Sequence, residues 1–256
     1  MVLIDTHVHL YADEFHADLD SVISKAKENG VVKMLMPNVD IHSINVMNEV
    51  ALTYPGVCFP MIGLHPCYVK EDFQTQLEDI KAELDSNKYI GVGEIGLDLY
   101  WDKTFYEEQK ISFETQLKWA IEKNLPVSIH SRSATREALE IIKHLSNKKL
   151  KGVFHCFSGT LEEANEIMDQ GLYLGIGGVV TFKNGGLDKI LPEIPLKNIV
   201  LETDAPYLAP IPFRGKRNES SYLTFVAKKV AEIYNVPTEE VSKITSQNAN
   251  SLFTLS

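Results

Sequence analysis

Eight short, almost uninterruptedly apolar runs punctuate the chain, at residues 2–9, 31–37, 57–64, 89–95, 126–130, 152–156, 172–177 and 198–203. The segments between them, such as EFHADLDSVISKAKEN, EEQKISFETQLKWAIEKN and ATREALEIIKHLS, place apolar residues at intervals of three and four. That spacing predicts helices with one buried stripe, and Asn29-Gly30 and Asn124 stand where a helix C-terminus expects them. A run that is apolar on both alternating faces predicts a strand covered on both sides, as in parallel sheets. Eight such strands alternating with helices predict a closed α/β barrel, a (β/α)8 fold of the TIM type. An open doubly wound sheet is the alternative, but no GxGxxG follows the first run.

A chain of 256 residues suits one such domain, because barrels of this kind commonly run to about 250 residues. No linker, repeat or low-complexity tract divides it, so residues 1–256 read as a single domain. The last segment, TEEVSKITSQNANSLF, predicts an extra C-terminal helical segment closing one side of the barrel. An apolar fraction of 44% and a charged fraction of 23% describe a soluble globular chain with a sizeable core. No stretch approaches the roughly 18 apolar residues of a membrane span, and no basic-then-apolar leader opens the chain. A cytoplasmic protein with no membrane partner is expected. Cys58, Cys67 and Cys156 are odd in number and form no CxxC, which argues against a disulfide framework or a zinc ribbon. Cys156 adjoins His155, but adjacent strand residues point to opposite faces, so it reads as a buried filler.

Five of the eight histidines fall at the ends of apolar runs: His7, His9, His65, His130 and His155. Two more runs end in carboxylates, Glu94 and Asp204. In a barrel of this kind the active site lies at the C-terminal ends of the strands, so these residues converge on one mouth. His7 and His9, two apart, point the same way because strand side chains repeat every two residues. His16, His42 and His144 lie on expected helices and are left out of the site. Six donors, His7, His9, Glu94, His130, His155 and Asp204, exceed the three protein ligands of a single catalytic zinc, so two divalent metal ions are expected. Glu94 is the candidate bridge, with His7, His9 and Asp204 on one ion and His130 and His155 on the other. The chemistry expected is hydrolysis by a metal-activated water, with Asp204 accepting its proton. Glu94 and Asp204 are therefore the candidate catalytic carboxylates. Histidine-rich coordination suits Zn, whereas carboxylates, water and phosphate suit Mg or Mn.

The ordered landmarks DTHVHL (5–10), GLHP (63–66), GEIGLD (93–98), LPVSIHSR (125–132), HCFSG (155–159), ETDAPYL (202–208) and RGKRNE (214–219) resemble the TatD family of metal-dependent deoxyribonucleases, within the amidohydrolase-like barrels. The resemblance covers essentially the whole chain. It implies a two-metal phosphodiesterase, an exonuclease on single-stranded DNA or frayed ends, with the six donors above as metal ligands. It carries His65 over as a substrate-phosphate contact; a hydrogen bond to neighbouring backbone is the other role open to it. The chain departs from the family pattern at Ser133, where Asp is common, and at Ser220, where Pro is usual. These departures bear on contacts near Arg132 and on the start of the last barrel helix.

Other residues offer substrate contacts. Arg132 suits bidentate phosphate binding or a surface ion pair. Arg214, Lys216 and Arg217 form a basic loop that can clamp a DNA backbone or simply be solvated. The net charge of −10 excludes a generally basic nucleic-acid surface but not such a local field. Tyr100, Trp101 and Tyr207 can stack unpaired bases or pack locally. Asp5, Asp98 and Glu202 are candidates to orient imidazoles from behind, with Asp98 placed beyond its strand. The glycine-dense GIGGVVTFKNGG (175–186) can cradle phosphate or allow tight packing.

Two other functions stay open. One is an amidohydrolase or esterase acting on a small molecule or an aminoacyl-tRNA ester. Many such enzymes bridge their metals with a modified lysine, whereas here the position is Glu94 and the fourth run has only Lys88 at its start. The other is a non-catalytic, metal-stabilised binding protein, whose signature would be lost ligands. No obligate protein partner is evident.

Overall fold

The computed structural model describes residues 1–145 and 150–255. Ser146, which ends one of the segments expected to be helical, lies outside them. Strands β1 (Leu3–Asp5), β2 (Val31–Pro37), β3 (Cys58–Met61), β4 (Val92–Asp98), β5 (Val127–Arg132), β6 (Gly152–Phe154), β7 (Tyr173–Ile176) and β8 (Ile199–Leu201) run in parallel. Helices alternate with them: α1 (Leu19–Glu28), α2 (Ser43–Thr53), α3 (Phe73–Ser86), α4 (Tyr106–Lys123), α5 (Thr135–Leu145), α6 (Leu161–Asp169), the single turn α7 (Leu187–Ile190) and α8 (Leu223–Tyr234). A final helix, α9 (Thr238–Phe253), follows. Asn124 ends α4 in the left-handed conformation (φ 54°) that its position in the sequence anticipates.

Strands pair in chain order as two hydrogen-bonded arcs, β1-β2-β3 and β4-β5-β6-β7-β8. Single parallel bridges join the arcs at both seams, Ile62 opposite Val92 and Val8 opposite Ala205. Gly93 N donates to Ile62 O over 2.9 Å, and His9 N to Ala205 O over 2.8 Å. The ring therefore closes, as the alternation predicts. Its seams are thin because the chain leaves regular strand geometry at Thr6 and after Leu201, where it turns to present polar side chains.

Alternation along the strands divides the core in two. Leu3 faces the helices with the large outer cluster, whereas its neighbour Ile4 joins Leu35, Met61, Val153 and Val200 in a separate cluster. Ala249, Leu252, Phe253 and Leu255 complete that second cluster. The C-terminal segment thus plugs the barrel at the N-terminal ends of its strands. Ser242 and Ser246 hydroxyls donate to Val2 O over 2.5 and 2.9 Å, and Asn248 donates to Leu196 O and Ile199 O over 2.9 and 2.7 Å. With that end sealed, the opposite mouth is the one left for ligands. Among the described residues no helix is long and apolar enough to cross a membrane. Truncating the plug with Phe253→Ala is expected to cost about 3–5 kcal/mol, read as a lowered urea midpoint at constant slope. An unshifted midpoint would contradict the plug.

Candidate metal centre

The six predicted donors do not all sit at strand ends. β1 stops at Asp5, so His7 and His9 lie beyond it, flanking the seam bridge at Val8. Extended backbone through that bridge keeps both rings on one side. Glu94 sits in the middle of β4 rather than at its end, because the strand runs on to Asp98. Asp98, expected past the strand, is its last residue. His130 lies within β5, His155 directly follows β6, and Asp204 lies three residues past β8 in a left-handed conformation (φ 57°). A conformation that side-chain-bearing residues rarely adopt is held where a carboxylate is aimed inward. Gly93 lets β4 approach β5 ahead of Glu94, since a Cβ there would stand 2.7 Å from Ser128 Cβ.

Glu94 is 3% exposed and is the hub. Its Oε2 lies 3.2 Å from His7 Nε2 and 3.6 Å from His9 Nε2. Asp204 Oδ1 stands on the same side, 3.8 Å from His7 Nε2 and 3.5 Å from His9 Nε2. Glu94 Oε1 lies 2.9 Å from His130 Nδ1, 2.7 Å from His155 Nε2 and 3.3 Å from His65 Nε2. One carboxylate therefore presents one oxygen to each half of the cluster. Among the described residues, donor atoms within 4.8 Å of one another form three overlapping triads: His7, His9, Glu94; His65, Glu94, His130; and His7, His155, Asp204. The last groups His155 with His7 because their rings stack at 3.8 Å. The direct 2.7 Å approach of His155 Nε2 to Glu94 Oε1 is the stronger guide to its partner.

Groups behind the imidazoles decide which nitrogen is bare. Tyr11 donates its phenol proton to Pro37 O over 2.7 Å, so its oxygen accepts from His9 Nδ1 at 2.9 Å and leaves Nε2 facing the site. Ser128 Oγ lies 3.0 Å from His7 Nδ1. Asp98 Oδ2 takes His130 Nε2 over 2.9 Å, so that ring meets Glu94 through Nδ1. Glu202 Oε1 stands 3.6 Å from His155 Nδ1 and accepts the Cys156 N–H. Tyr11 and Ser128 are not apparent from the sequence as functional residues. The signal available was period-two spacing, His7-His9-Tyr11 and Ser128-His130.

The remaining predicted residues divide sharply. His65 is drawn into the cluster through Nε2, which faces Glu94, while its Nδ1 accepts the Cys67 N–H over 3.1 Å, the backbone contact foreseen for it. Asp5 does not orient an imidazole ring. Its carboxylate accepts from Thr203 N and Oγ1 (2.9 and 2.6 Å) and Ser220 Oγ (2.7 Å), and from the backbone N–H of His7 (3.4 Å). Ser220 thus braces the seam. Arg217, expected in the DNA clamp, forks its guanidinium onto Asp18 with two 2.7 Å bonds. Arg214 and Lys216 are exposed, with Arg214 stacked 4.5 Å over Phe182. Arg132 is exposed at the end of β5. In the glycine-rich stretch, a Cβ on Gly175 would fall 2.3 Å from Glu202 Oε2, so close packing explains that glycine. Cys156 has φ 49°, so strand alternation does not govern where it points.

Burial disfavours charge on Glu94, yet His155, His65 and His7 hold its carboxyl well below the usual range. Burial likewise disfavours charge on His155, but Glu94 and Glu202 push its imidazole well above the ordinary histidine value. Burial and the neighbouring His155 lower His7 instead. Such a knot of lone pairs, with His155 Nδ1 and Glu202 Oε2 lacking hydrogen-bond partners among the described residues, needs positive charge at its centre. The mixed imidazole and carboxylate donors fit divalent metal ions. A metal must displace the proton that His155 retains above its ordinary value, so affinity is expected to climb with pH through and beyond about 6.5, with proton release on binding. Calorimetric titration with Zn or Mn in buffers of different ionisation enthalpy checks this. Affinity that is flat with pH would contradict it.

Residues 4–254 match the family model described as TatD related DNase. The uncharacterized metal-dependent hydrolase YabD of Bacillus subtilis is 40% identical, covering 98% of this chain and 99% of its own length. The 3'-5' ssDNA/RNA exonuclease TatD of Pantoea vagans is 31% identical, covering 99% and 100%. Among solved structures, the TatD homolog YJJV from Escherichia coli superposes with a TM-score of 0.93 at 29% identity, covering 98% of both chains. With the match spanning every donor of the centre and the barrel that carries it, this chain belongs to the TatD family and is a metal-dependent hydrolase.

Proposed function

We propose that this hydrolase is a deoxyribonuclease that cleaves phosphodiesters at the unpaired ends of DNA, working with two divalent ions drawn from Mg, Mn and Zn. The observation that carries the reading is the division of Glu94, whose Oε2 faces His7 and His9 while Oε1 faces His130 and His155. A carboxylate so placed suits a bridge between paired ions, and paired ions suit in-line displacement at phosphorus. His7, His9 and Asp204 would hold one ion, and His130 and His155 the other. When bound, the ions would acidify water and neutralise charge on the phosphate.

The chain's own residues supply the rest. Asp204 has one oxygen beside His7 and His9, so its second oxygen can take a proton from the attacking water. Asp204 suits that role because His9, His155 and His7 hold its carboxyl low against the opposing effect of burial, so it stays ionised. His65, exposed Arg214 and Lys216 supply cationic or hydrogen-bonding contacts for phosphates, local exceptions in a chain of net charge −10. The exonuclease relative supports a single-stranded substrate, and the two-sided carboxylate favours a phosphodiester over a small amide.

Labelled single- and double-stranded DNA, incubated with chelator or with added Mg, Mn or Zn, tests the reading. Metal-dependent shortening of single strands is expected, and activity on a small ester alone would refute it. Asp204→Asn is expected to reduce turnover by about 100-fold or more while most metal is retained. Undiminished turnover would remove Asp204 from its role.

A further inference from the structure

Asp98 does more than orient His130. While Oδ2 takes His130 Nε2 at 2.9 Å, Oδ1 accepts the backbone N–H groups of Tyr100 and Trp101 at 2.9 and 3.0 Å. One carboxylate, 1% exposed, thereby fixes the loop after β4 in register with a donor of the metal centre. Leu99 N, donating to Arg132 O over 2.9 Å, fastens the same loop to β5. Two side chains on that loop are left facing outward, Tyr100 at 57% and Trp101 at 67% exposure.

Arg132 lies two residues beyond His130 on β5, so strand periodicity turns it toward the mouth. Its guanidinium stands 4.1 Å from the Tyr100 ring centroid and 5.1 Å from that of Trp101. Among the described residues it makes no ion pair with a carboxylate. An arginine propped by aromatic faces keeps its planar fork of N–H donors for a ligand, whereas Arg217 spends its fork on Asp18. Beside the loop, a cavity of about 230 Å³ is lined by Trp101, Pro66, Val69 and Phe105 together with Lys70 and Asp102.

We propose that Tyr100, Trp101 and Arg132 form a subsite for an unpaired nucleotide adjoining the cleaved phosphate, with the base stacked on Trp101 and the flanking phosphate held by Arg132. The subsite rests on the nuclease reading above and deepens it. Stacking accepts any base face, so the subsite selects single strands without selecting sequence. Asp98 sets the distance between this subsite and the metal centre, because the same carboxylate positions both.

The full chain carrying Asp204→Asn, in Mg2+, is titrated with a short oligothymidylate while tryptophan fluorescence is read. The chain has two tryptophans, Trp101 and Trp119, the second partly buried on α4. Saturable quenching is expected, and Trp101→Phe, at an exposed position, abolishes it. Arg132→Ala weakens the dissociation constant about tenfold, and a blunt duplex binds about tenfold more weakly than the single strand. No quenching, quenching that survives Trp101→Phe, or a dissociation constant that Arg132→Ala leaves unmoved overturns the subsite. Cleavage of the same oligonucleotide by the parent chain is scored separately. Quenching without cleavage refutes the nuclease reading and keeps the subsite; cleavage without quenching does the reverse.

Discussion

A buried carboxylate ringed by imidazoles governs the open end of this barrel. Glu94 is almost wholly out of water, where an isolated negative charge is strongly disfavoured. It stays ionised because five histidines approach it from β1, β3, β5 and β6 or the segments after them. Four of them are hydrogen-bonded from behind by Tyr11, Ser128, Asp98 or the Cys67 backbone, and Glu202 stands 3.6 Å behind His155. Removing any of these braces frees a ring to turn or exchange its tautomer, which weakens the hold on Glu94. The centre is therefore a network in which protons and metal ions are alternative sources of the positive charge it requires.

The two ends of the barrel answer opposite demands. At the lower end, α9 adds Leu252 and Phe253 to Ile4, Leu35 and Val200 and makes an apolar seal. At the upper end the chain leaves strand geometry early, so that polar groups, not apolar ones, fill the mouth. Positive φ at Ser133, Cys156 and Asp204, each beyond a strand that serves the centre, belongs to that arrangement. Stability held in the plug and the helix-facing core lets strain and buried charge collect at the mouth.

Much of this was legible in the sequence, because strand count and inward-facing donors are periodic signals. The eight runs led directly to the parallel ring, and the matching placement of His130, His155 and Asp204 led to the cluster. What stayed hidden depends on where strands end and on which partner a side chain chooses. β1 stops at Asp5, and β4 continues to Asp98, because seam bridges and loop hydrogen bonds, not apolar pattern, set those limits. Arg217 resembles its neighbours Arg214 and Lys216 in sequence, but only it lies against Asp18 after folding. Asp5 sits two residues before His7, yet Thr203 and Ser220, distant in sequence, claim its oxygens. Tyr11 shows the converse: its spacing was visible, but its role depends on Pro37 O taking its proton.

On the proposed two-ion reading, Glu94 divides its oxygens between the ions. Anomalous diffraction from crystals soaked in Mn or Zn measures that directly. Two peaks roughly 3.5–4 Å apart are expected, one touching Glu94 Oε2 with His7, His9 and Asp204, the other touching Oε1 with His130 and His155. A single peak at saturating metal, or a second peak that Glu94 does not touch, would contradict it.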